Sequence, residues 1–331
     1  MDSLIALTHF TLGLTILIVS GNSLISSAMK LGNRWNLSPV FMGTTIVAAG
    51  TSVPELVVAI AAQLENTPGV TLGNILGSNI FNIGMVLGIF FLWKGRSGVL
   101  GGKEETFSLA FITTVLLGLL IILSKVNPVV TIPESAGVMM ILTFGLIMAR
   151  SFLLGKNSSE KYNNEELERT AKSKFDFFRD FFGSNYPFVQ ATLGSAGLWF
   201  GGKLFVNGAV ELAGVLGVSD TVIGLTVVAA GTGAPELIAS LTALRKGSNG
   251  IALGNVLGSN IFNSLGVIGF ATIISPIEID ISVMKTDLIV MGIMTLTLAL
   301  VVFTKSKLLP AKFFGAAFLL LYLWWCLRFF I

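Results

Sequence analysis

Long apolar stretches follow one another along the whole chain, separated by short polar connectors. A helix that crosses the hydrocarbon core of a bilayer needs about 20 mostly apolar residues. Because these runs lack the alternation of barrel strands, the pattern predicts an all-α integral membrane protein with ten transmembrane helices. The predicted spans are residues 4–28, 38–64, 68–92, 105–123, 131–153, 186–214, 219–245, 249–274, 283–303 and 309–330.

One long polar interruption, residues 151–185, separates five spans from five and holds 12 of the 39 charged residues. We therefore expect a first five-helix repeat over 1–150, a cytoplasmic linker over 151–185 and a second five-helix repeat over 186–331. Within the linker, Phe175–Gly183 alternates aromatic pairs with charges. This pattern is typical of a short helix lying in the membrane interface; the alternative is a simple tether.

Composition supports the bilayer as solvent and excludes several classes of protein. Charged residues make up 12% of the chain, about half of the roughly 25% found in soluble proteins, and hydrophobic residues make up 53%. The single cysteine forbids an internal disulfide, and the single histidine argues against zinc sites and Ser-His-Asp chemistry. We therefore expect neither an enzyme nor a protein with a cofactor.

Basic residues predict the orientation in the membrane. If the linker is cytoplasmic and the spans alternate, the inner connectors hold 17 Lys and Arg residues and the outer ones hold three. Inner connectors carry the excess of basic residues in membrane proteins. The bias therefore places both termini outside the cytoplasm, and it explains the net charge of +3 without a nucleic-acid partner.

The chain contains an internal repeat. Residues 43–88 and 224–269 align without a gap at an offset of 181, with 24 identities in 46 positions. The hairpin of the first block carries Glu65, whereas the equivalent position of the second is Lys246. Five spans per half is an odd number, so the second half must insert upside down. Inverted-topology repeats are typical of secondary transporters that bind substrate near the membrane midplane.

A proline interrupts the same helix of each repeat. The motif GTSVPEL contains Pro54, and GTGAPEL contains Pro235. Because proline lacks an N–H and crowds the carbonyl four residues earlier, we expect both helices to break and to leave backbone carbonyls free. An acidic residue follows each proline, Glu55 and Glu236, and a carboxylate at this depth costs about 3 kcal/mol or more. We interpret the pair as functional and not as protonated packing residues.

The next span of each repeat carries a polar stripe. Positions four apart stack on one side of a helix, and the two stripes are Asn74, Ser78, Asn82 and Asn255, Ser259, Asn263. Asn79 and Asn260 point elsewhere and are expected to serve as packing or helix-cap partners. A pocket lined by such oxygens suits hard cations such as Ca²⁺.

At these motifs the chain resembles the calcium/cation antiporter superfamily, and specifically the prokaryotic sodium/calcium exchangers, whose paired signature is G-T-S-x-P-E with G-S-N-x-x-[ND]. The resemblance implies an alternating-access antiporter in a prokaryotic cell membrane, which exports Ca²⁺ in exchange for Na⁺ and has no obligate protein partner. It implies that Glu55 and Glu236 coordinate the ions. The other implied ligands are Thr51, Thr232, Ser52, Ser78, Ser259, Asn82, Asn263 and the carbonyls of Ala48 and Ala229.

Two departures from the family pattern leave the counter-ion open. Gly233 stands where the second repeat usually has Ser, and Asn263 stands where several relatives carry Asp. A Ca²⁺/H⁺ antiporter of the same fold is therefore a close alternative, and a passive cation channel is a more distant one.

Overall fold

The computed structural model describes residues 2–65, 67–95, 102–124, 127–156, 181–215, 233–303 and 310–328. These residues form two compact units. The first unit comprises Met1–Thr51, Leu154–Asn255 and Cys326–Ile331, and the second comprises Ser52–Leu153 and Val256–Trp325. Each unit therefore combines segments from both halves of the sequence.

The first half of the chain is helical apart from one short strand. Its elements are α1 (Asp2–Trp35), α2 (Pro39–Met42), a π-helical turn (Gly43–Val47), α3 (Ala48–Leu64), α4 (Pro68–Phe81), a second π-helical turn (Asn82–Leu87), α5 (Gly88–Lys94), α6 (Lys103–Ser124), β1 (Val129–Ile132) and α7 (Glu134–Lys156). Proline occupies the first turn of α2 and of α4, where its missing N–H costs no hydrogen bond. Ser38 caps α2, because its hydroxyl accepts the Phe41 N–H at 3.1 Å.

The second half repeats this organisation. Its elements are a 3₁₀ turn (Gly183–Asn185), α8 (Tyr186–Val215), α9 (Ala234–Arg245), α10 (Asn249–Ile261), a third π-helical turn (Phe262–Val267), α11 (Ile268–Ile274), β2 (Ile277–Asp280), α12 (Ile281–Phe303) and α13 (Ala311–Leu327). Adding 181 to the start of α4 gives the start of α10, and the π-helical turns that follow them agree within one residue. The sequence repeat is thus a repeat of local structure.

Nine of the ten predicted spans fall largely within helices, while the seventh is described only from Gly233 onward. Among the described residues, six helical stretches are long and apolar enough to cross a membrane: Leu4–Trp35, Pro39–Leu64, Pro68–Lys94, Glu134–Lys156, Asn249–Ile274 and Ile281–Phe303. The predicted helical membrane fold is therefore confirmed, apart from the short strands β1 and β2, and the count of ten spans stays a prediction.

Small residues join α1 to α8 in the first unit. The two helices run antiparallel, with Gly13 beside Phe205 near one end and Gly194 beside Leu24 near the other. A methyl group added at Gly13 would lie 2.6 Å from Cα of Phe205, well inside van der Waals contact. Glycine is therefore required here, because the two backbones approach too closely for any side chain.

An antiparallel ribbon and an apolar cluster organise the second unit. Strand β1 pairs with β2 in the register Val129↔Asp280 to Ile132↔Ile277. Side chains from this ribbon pack with α3, α4 and the third π-helical turn in one buried cluster, which includes Ala59, Leu72, Val130, Val267 and Ile279. The connectors after α6 and after α11 therefore lie at the same end of this unit.

The predicted break at Pro54 is wrong, because α3 runs through this proline from Ala48 to Leu64. A proline can be kept in a membrane helix where neighbouring groups satisfy the freed backbone, and the carbonyl that Pro54 leaves without an N–H is that of Gly50, four residues earlier. The irregularity falls earlier, in the π-helical turn Gly43–Val47. In the second repeat α9 begins at Ala234, with Pro235 in its first turn.

Several predictions lie outside the described residues. They concern Thr232, Ala229, the first part of the seventh span and most of the linker, including residues 175–180 of the proposed interfacial helix. The boundaries of the two repeats and the orientation of the termini also stay predictions.

Candidate functional site

The motif around Pro54 places several polar side chains in the protein interior. Thr51 and Ser52 are fully buried and Glu55 is 1% exposed, although the apolar neighbour Val53 is 43% exposed. One face of α3 therefore points into the protein and carries all three polar groups. Polar groups are placed in a membrane-protein interior only where they are bonded or functional.

In the first unit, Asn255 connects Thr51 with α9. The Thr51 hydroxyl lies 3.2 Å from Asn255 Oδ1 and can donate to it. The Asn255 amide in turn donates to Ser240 Oγ at 2.9 Å and to the Glu236 carbonyl at 3.3 Å. Glu236 itself is fully buried in the first turn of α9. Asn255 thus links two of the motif segments by hydrogen bonds between helices.

In the second unit, Glu55 is the first member of a chain of hydrogen bonds. Ser78 donates its hydroxyl to Glu55 Oε1 at 3.1 Å, and Asn263 donates its amide to Ser78 Oγ at 3.3 Å. The predicted ligands Glu55 and Ser78 from the first repeat thus contact Asn263 from the second. All three are buried.

Four asparagines continue this chain where α4 and α10 cross. The Asn82 amide donates to Asn260 Oδ1 at 3.0 Å, and the Asn263 amide donates to Asn79 Oδ1 at 3.1 Å. Because Asn82 pairs with the earlier residue of the second helix and Asn79 with the later one, the two equivalent helices run antiparallel. The expectation that Asn79 and Asn260 point away from the ligands was therefore wrong.

Three buried oxygen atoms in this region accept no hydrogen bond from the described residues: Glu55 Oε2, Asn82 Oδ1 and Asn263 Oδ1. An unsatisfied buried acceptor costs about 1–3 kcal/mol, and more where it belongs to a carboxylate. Such atoms need a further partner, and a cation is a partner that oxygen ligands alone can hold. Carboxylate and amide oxygens match the hard-cation chemistry that the motifs predict.

The structure places the described site residues in two groups. Ser52, Glu55, Ser78, Asn82, Ser259 and Asn263 are buried in the second unit, and Ala48, Thr51 and Glu236 are buried in the first. No cluster of three or more His, Cys, Asp and Glu side chains occurs in the part of the chain that the structure describes. Hydroxyl and amide oxygens therefore carry most of the polar chemistry of this region.

Both the Asn82 and the Asn263 position lie at the start of a π-helical turn. Such turns insert one extra residue into a helix and frequently occur at functional sites. The extra residue rotates the side chains that follow it about the helix axis, so the polar stripe and the following apolar turn lie on different faces of the helix. Helical spacing alone could not reveal this shift, because it assumes 3.6 residues per turn throughout.

Residues 5–153 and 186–331 match the sodium/calcium exchanger protein family. The chain belongs to this family. The match covers both halves of the chain and omits residues 1–4 and 154–185. This exchanger-family protein is accordingly a multi-pass membrane protein of a transporter family.

Similar proteins and structures come from several prokaryotes. A protein named putative antiporter CaxA, from Alkalimonas amylolytica, is 35% identical over 309 residues, which cover 92% of each chain. Sodium/calcium exchanger MaX1 from Methanosarcina acetivorans is 27% identical and covers 94% of each chain. The structure of the sodium-calcium exchanger NCX_Mj soaked with 10 mM Na⁺ and zero Ca²⁺ has a TM-score of 0.73, with 26% identity and 97% of each chain covered.

Proposed function

We propose that this exchanger-family protein exports Ca²⁺ in exchange for Na⁺ by alternating access across a prokaryotic cell membrane. Membership of the family supports cation antiport, and the names of the relatives MaX1 and NCX_Mj support Na⁺ and Ca²⁺ as the ions. The lipid bilayer is its solvent, and the ions are cargo that the protein binds and releases.

The observation that carries the proposal is the set of unsatisfied oxygens at Glu55, Asn82 and Asn263. The Ser78 hydroxyl and the Asn82 and Asn263 amides are already engaged in other hydrogen bonds, so the free valence left at these three oxygens is that of acceptors. Only a donor or a cation can satisfy it. The resemblance of the motifs to those of cation antiporters favours the cation.

Repeat equivalence extends the proposed ligand set to the second motif. Glu236 is the counterpart of Glu55, and the remaining proposed ligands are Thr51, Thr232, Ser52, Ser78, Ser259, Ala48 and Ala229. Two carboxylates match the charge of one Ca²⁺ ion, and several Na⁺ ions can replace it. Competition between the two ions for overlapping ligands is the physical basis of exchange in this proposal.

We also propose the inverted ten-span architecture, with repeats over 1–150 and 186–331 and a cytoplasmic linker over 151–185. The antiparallel crossing of α4 and α10 supports the inversion, since equivalent helices of repeats with the same orientation would run parallel. The excess of basic residues in the alternate connectors supports termini outside the cytoplasm. The first and sixth spans, α1 and α8, are the proposed moving pair.

Transport by the purified protein in liposomes tests the proposal. Uptake of ⁴⁵Ca²⁺ is measured with an imposed Na⁺ gradient at equal pH on both sides, and then with a pH gradient in the absence of Na⁺. We expect uptake that requires the Na⁺ gradient and that stops when the gradient is collapsed. Protein-free liposomes give the background leak.

Ca²⁺/H⁺ antiport is the second candidate function, and the residues Gly233 and Asn263 favour it, because each removes an oxygen or a charge from the usual Na⁺ ligand set. Uptake driven by the pH gradient and indifferent to Na⁺ would establish this alternative. Uptake driven by membrane potential alone, with no counter-ion, would instead indicate a channel.

A further inference from the structure

The amide hydrogen bonds between α4 and α10 obey the symmetry of the repeat. Adding or subtracting 181 converts the Asn82–Asn260 bond into the Asn263–Asn79 bond. In both bonds the nitrogen belongs to the residue at the signature's last position, and the accepting oxygen belongs to the asparagine three residues earlier in the other helix. All four side chains are at most 1% exposed.

This direction of donation gives the two kinds of asparagine different roles. An amide side chain has one oxygen and one nitrogen, which lie in one plane on opposite sides of the Cβ–Cγ bond. Engaging the nitrogens of Asn82 and Asn263 therefore turns their oxygens away from the crossing, and these are two of the unsatisfied acceptors. The oxygens of Asn79 and Asn260 are already occupied and have no such freedom.

Asn79 and Asn260 are themselves anchored. The Asn79 amide donates to Ser264 Oγ at 3.0 Å, and the Asn260 amide donates to the Asn79 carbonyl at 3.2 Å. A cavity of about 160 Å³ next to Asn79 and Ser264 is lined mainly by apolar side chains such as Leu76 and Met140. An apolar lining offers water few hydrogen-bond partners, which favours these direct bonds.

We propose that Asn79 and Asn260 are positioning residues, which hold the side-chain oxygens of Asn263 and Asn82 toward the transported cation without touching it. The proposal rests on the proposed function, because it takes Asn82 and Asn263 as ion ligands. Hydrogen-bond partners that orient metal ligands change metal affinity by about 10–100-fold when they are removed.

A double-mutant cycle on Ca²⁺ binding separates positioning from a merely structural contact. The full-length protein in detergent is titrated with Ca²⁺ by calorimetry, so the measurement does not depend on the counter-ion. One arm compares Asn79→Leu, Asn263→Ala and the double variant, and the other compares Asn260→Leu, Asn82→Ala and their double variant. Leucine keeps the approximate volume and removes both amide functions.

We expect Asn79→Leu alone to raise the Kd for Ca²⁺ about 10–100-fold. The double variant should have the same Kd as Asn263→Ala alone. An asparagine that acts only through its partner loses its effect when the partner's oxygen is gone, whereas independent effects would add. Asn260→Leu should raise the Kd by a similar factor, and its combination with Asn82→Ala should have the Kd of Asn82→Ala alone. Asn79→Asp should not raise the Kd, because it retains the acceptor for Asn263 and because Ser264 can donate to its second oxygen.

Thr272→Val is the matched control, because Thr272 is fully buried and its hydroxyl bonds only the Ile268 carbonyl of its own helix. Its Kd should equal that of the wild type. An unchanged Kd in Asn79→Leu, or a loss that adds fully to that of Asn263→Ala, would overturn the positioning role and leave the proposed function standing. A wild-type protein that binds no Ca²⁺ would overturn both. If Asn79→Leu does not fold, the Asn260 arm decides.

Discussion

Two of the antiparallel helix crossings in this protein are held together by different forces. Where α4 crosses α10, amide side chains exchange directional hydrogen bonds through Asn79, Asn82, Asn260 and Asn263. Where α1 crosses α8, glycines such as Gly13, Gly194, Gly201 and Gly208 bring the backbones into contact. The first crossing fixes both register and side-chain orientation, whereas the second fixes distance alone.

This difference suits different tasks. A cation site needs ligand oxygens held within a few tenths of an ångström, which directional hydrogen bonds provide. Close packing of small residues holds two membrane helices together through van der Waals contact and demands few polar groups. The polar contacts of α1 with α8 accordingly lie toward the helix ends, at His9–Glu211 and at Ser23–Gln190.

Among these predictions, removing a carboxylate charge should have the largest effect, which is on transport. Glu55 lies beside the crossing of α4 and α10, called here the amide-bonded crossing. We expect Glu55→Gln to abolish Na⁺-dependent ⁴⁵Ca²⁺ uptake while the protein still folds, because the neutral amide keeps the shape of the side chain and loses the charge that balances the cation. Glu236→Gln should do the same. The two proteins are compared with the wild type in proteoliposomes at equal protein content.

Glu134→Gln is the matched control, since Glu134 is an exposed carboxylate in the first turn of α7. This variant should transport like the wild type. Transport retained by either Glu55→Gln or Glu236→Gln would contradict the proposal that both glutamates bind the transported ion.

Crowding the glycine crossing should have the second-largest effect, and on stability instead of ion affinity. In Gly13→Ala the new methyl group would meet Cα of Phe205 at 2.6 Å and the Gly201 carbonyl oxygen at 2.9 Å. Backbone atoms cannot rotate away, so the helices must separate, at a cost of about 3 kcal/mol. The thermal unfolding midpoint in detergent measures this loss.

Gly145→Ala provides the comparison, because among the described residues nothing lies within 4 Å of a Cβ added at Gly145. Alanine favours a helix over glycine by about 1 kcal/mol, so this variant should unfold at the same or a higher temperature. Equal midpoints for Gly13→Ala and Gly145→Ala would show that the α1–α8 crossing does not depend on close backbone approach.

The sequence predicted the helices well because the thickness of the bilayer imposes their length. Runs of about 20 apolar residues are a strong signal, and α4 and α10 begin at residues related by the predicted offset of 181. The same reasoning failed at Pro54. A lost backbone hydrogen bond breaks a helix only if the surrounding packing cannot hold the helix together, and the packing around α3 could not be inferred from sequence.

The sequence indicated which residues belong to the candidate site, but not which side chains they contact. The repeated motifs singled out Glu55, Asn82 and Asn263, and all three carry unsatisfied buried oxygens. The roles of Asn79 and Asn260 were missed, because spacing along one helix does not reveal which side chain of an antiparallel neighbour lies opposite. The repeat itself contained the missing signal, since both asparagines stand at the same offset before the last motif position.

The smallest expected effect is an asymmetry within the amide-bonded crossing. The repeat position equivalent to Ser264 is Ile83, so Asn79 has a hydroxyl neighbour that Asn260 lacks. In Asn263→Asp the new carboxylate can accept from Asn79 if the Asn79 amide rotates by half a turn, because Ser264 then donates to the Asn79 oxygen. Folding should therefore be preserved, and the added negative charge should lower the Kd for Ca²⁺.

In Asn82→Asp, no rotation of the partner amide restores all of the hydrogen bonds. Rotating the Asn260 amide would turn its oxygen toward the Asn79 carbonyl oxygen, to which it now donates at 3.2 Å. One hydrogen bond is lost in either orientation. In a Ser78→Ala background, which removes the further bond from the Asn263 amide to Ser78 Oγ at 3.3 Å, we therefore expect Asn82→Asp to be less stable than Asn263→Asp by about 1 kcal/mol. The two midpoints are compared in Ca²⁺-free buffer, where ion binding does not contribute. Equal stability would mean that Ser264 does not set the orientation of Asn79, and Ser264→Ala, which removes the hydroxyl, should abolish the difference between the two Asp variants.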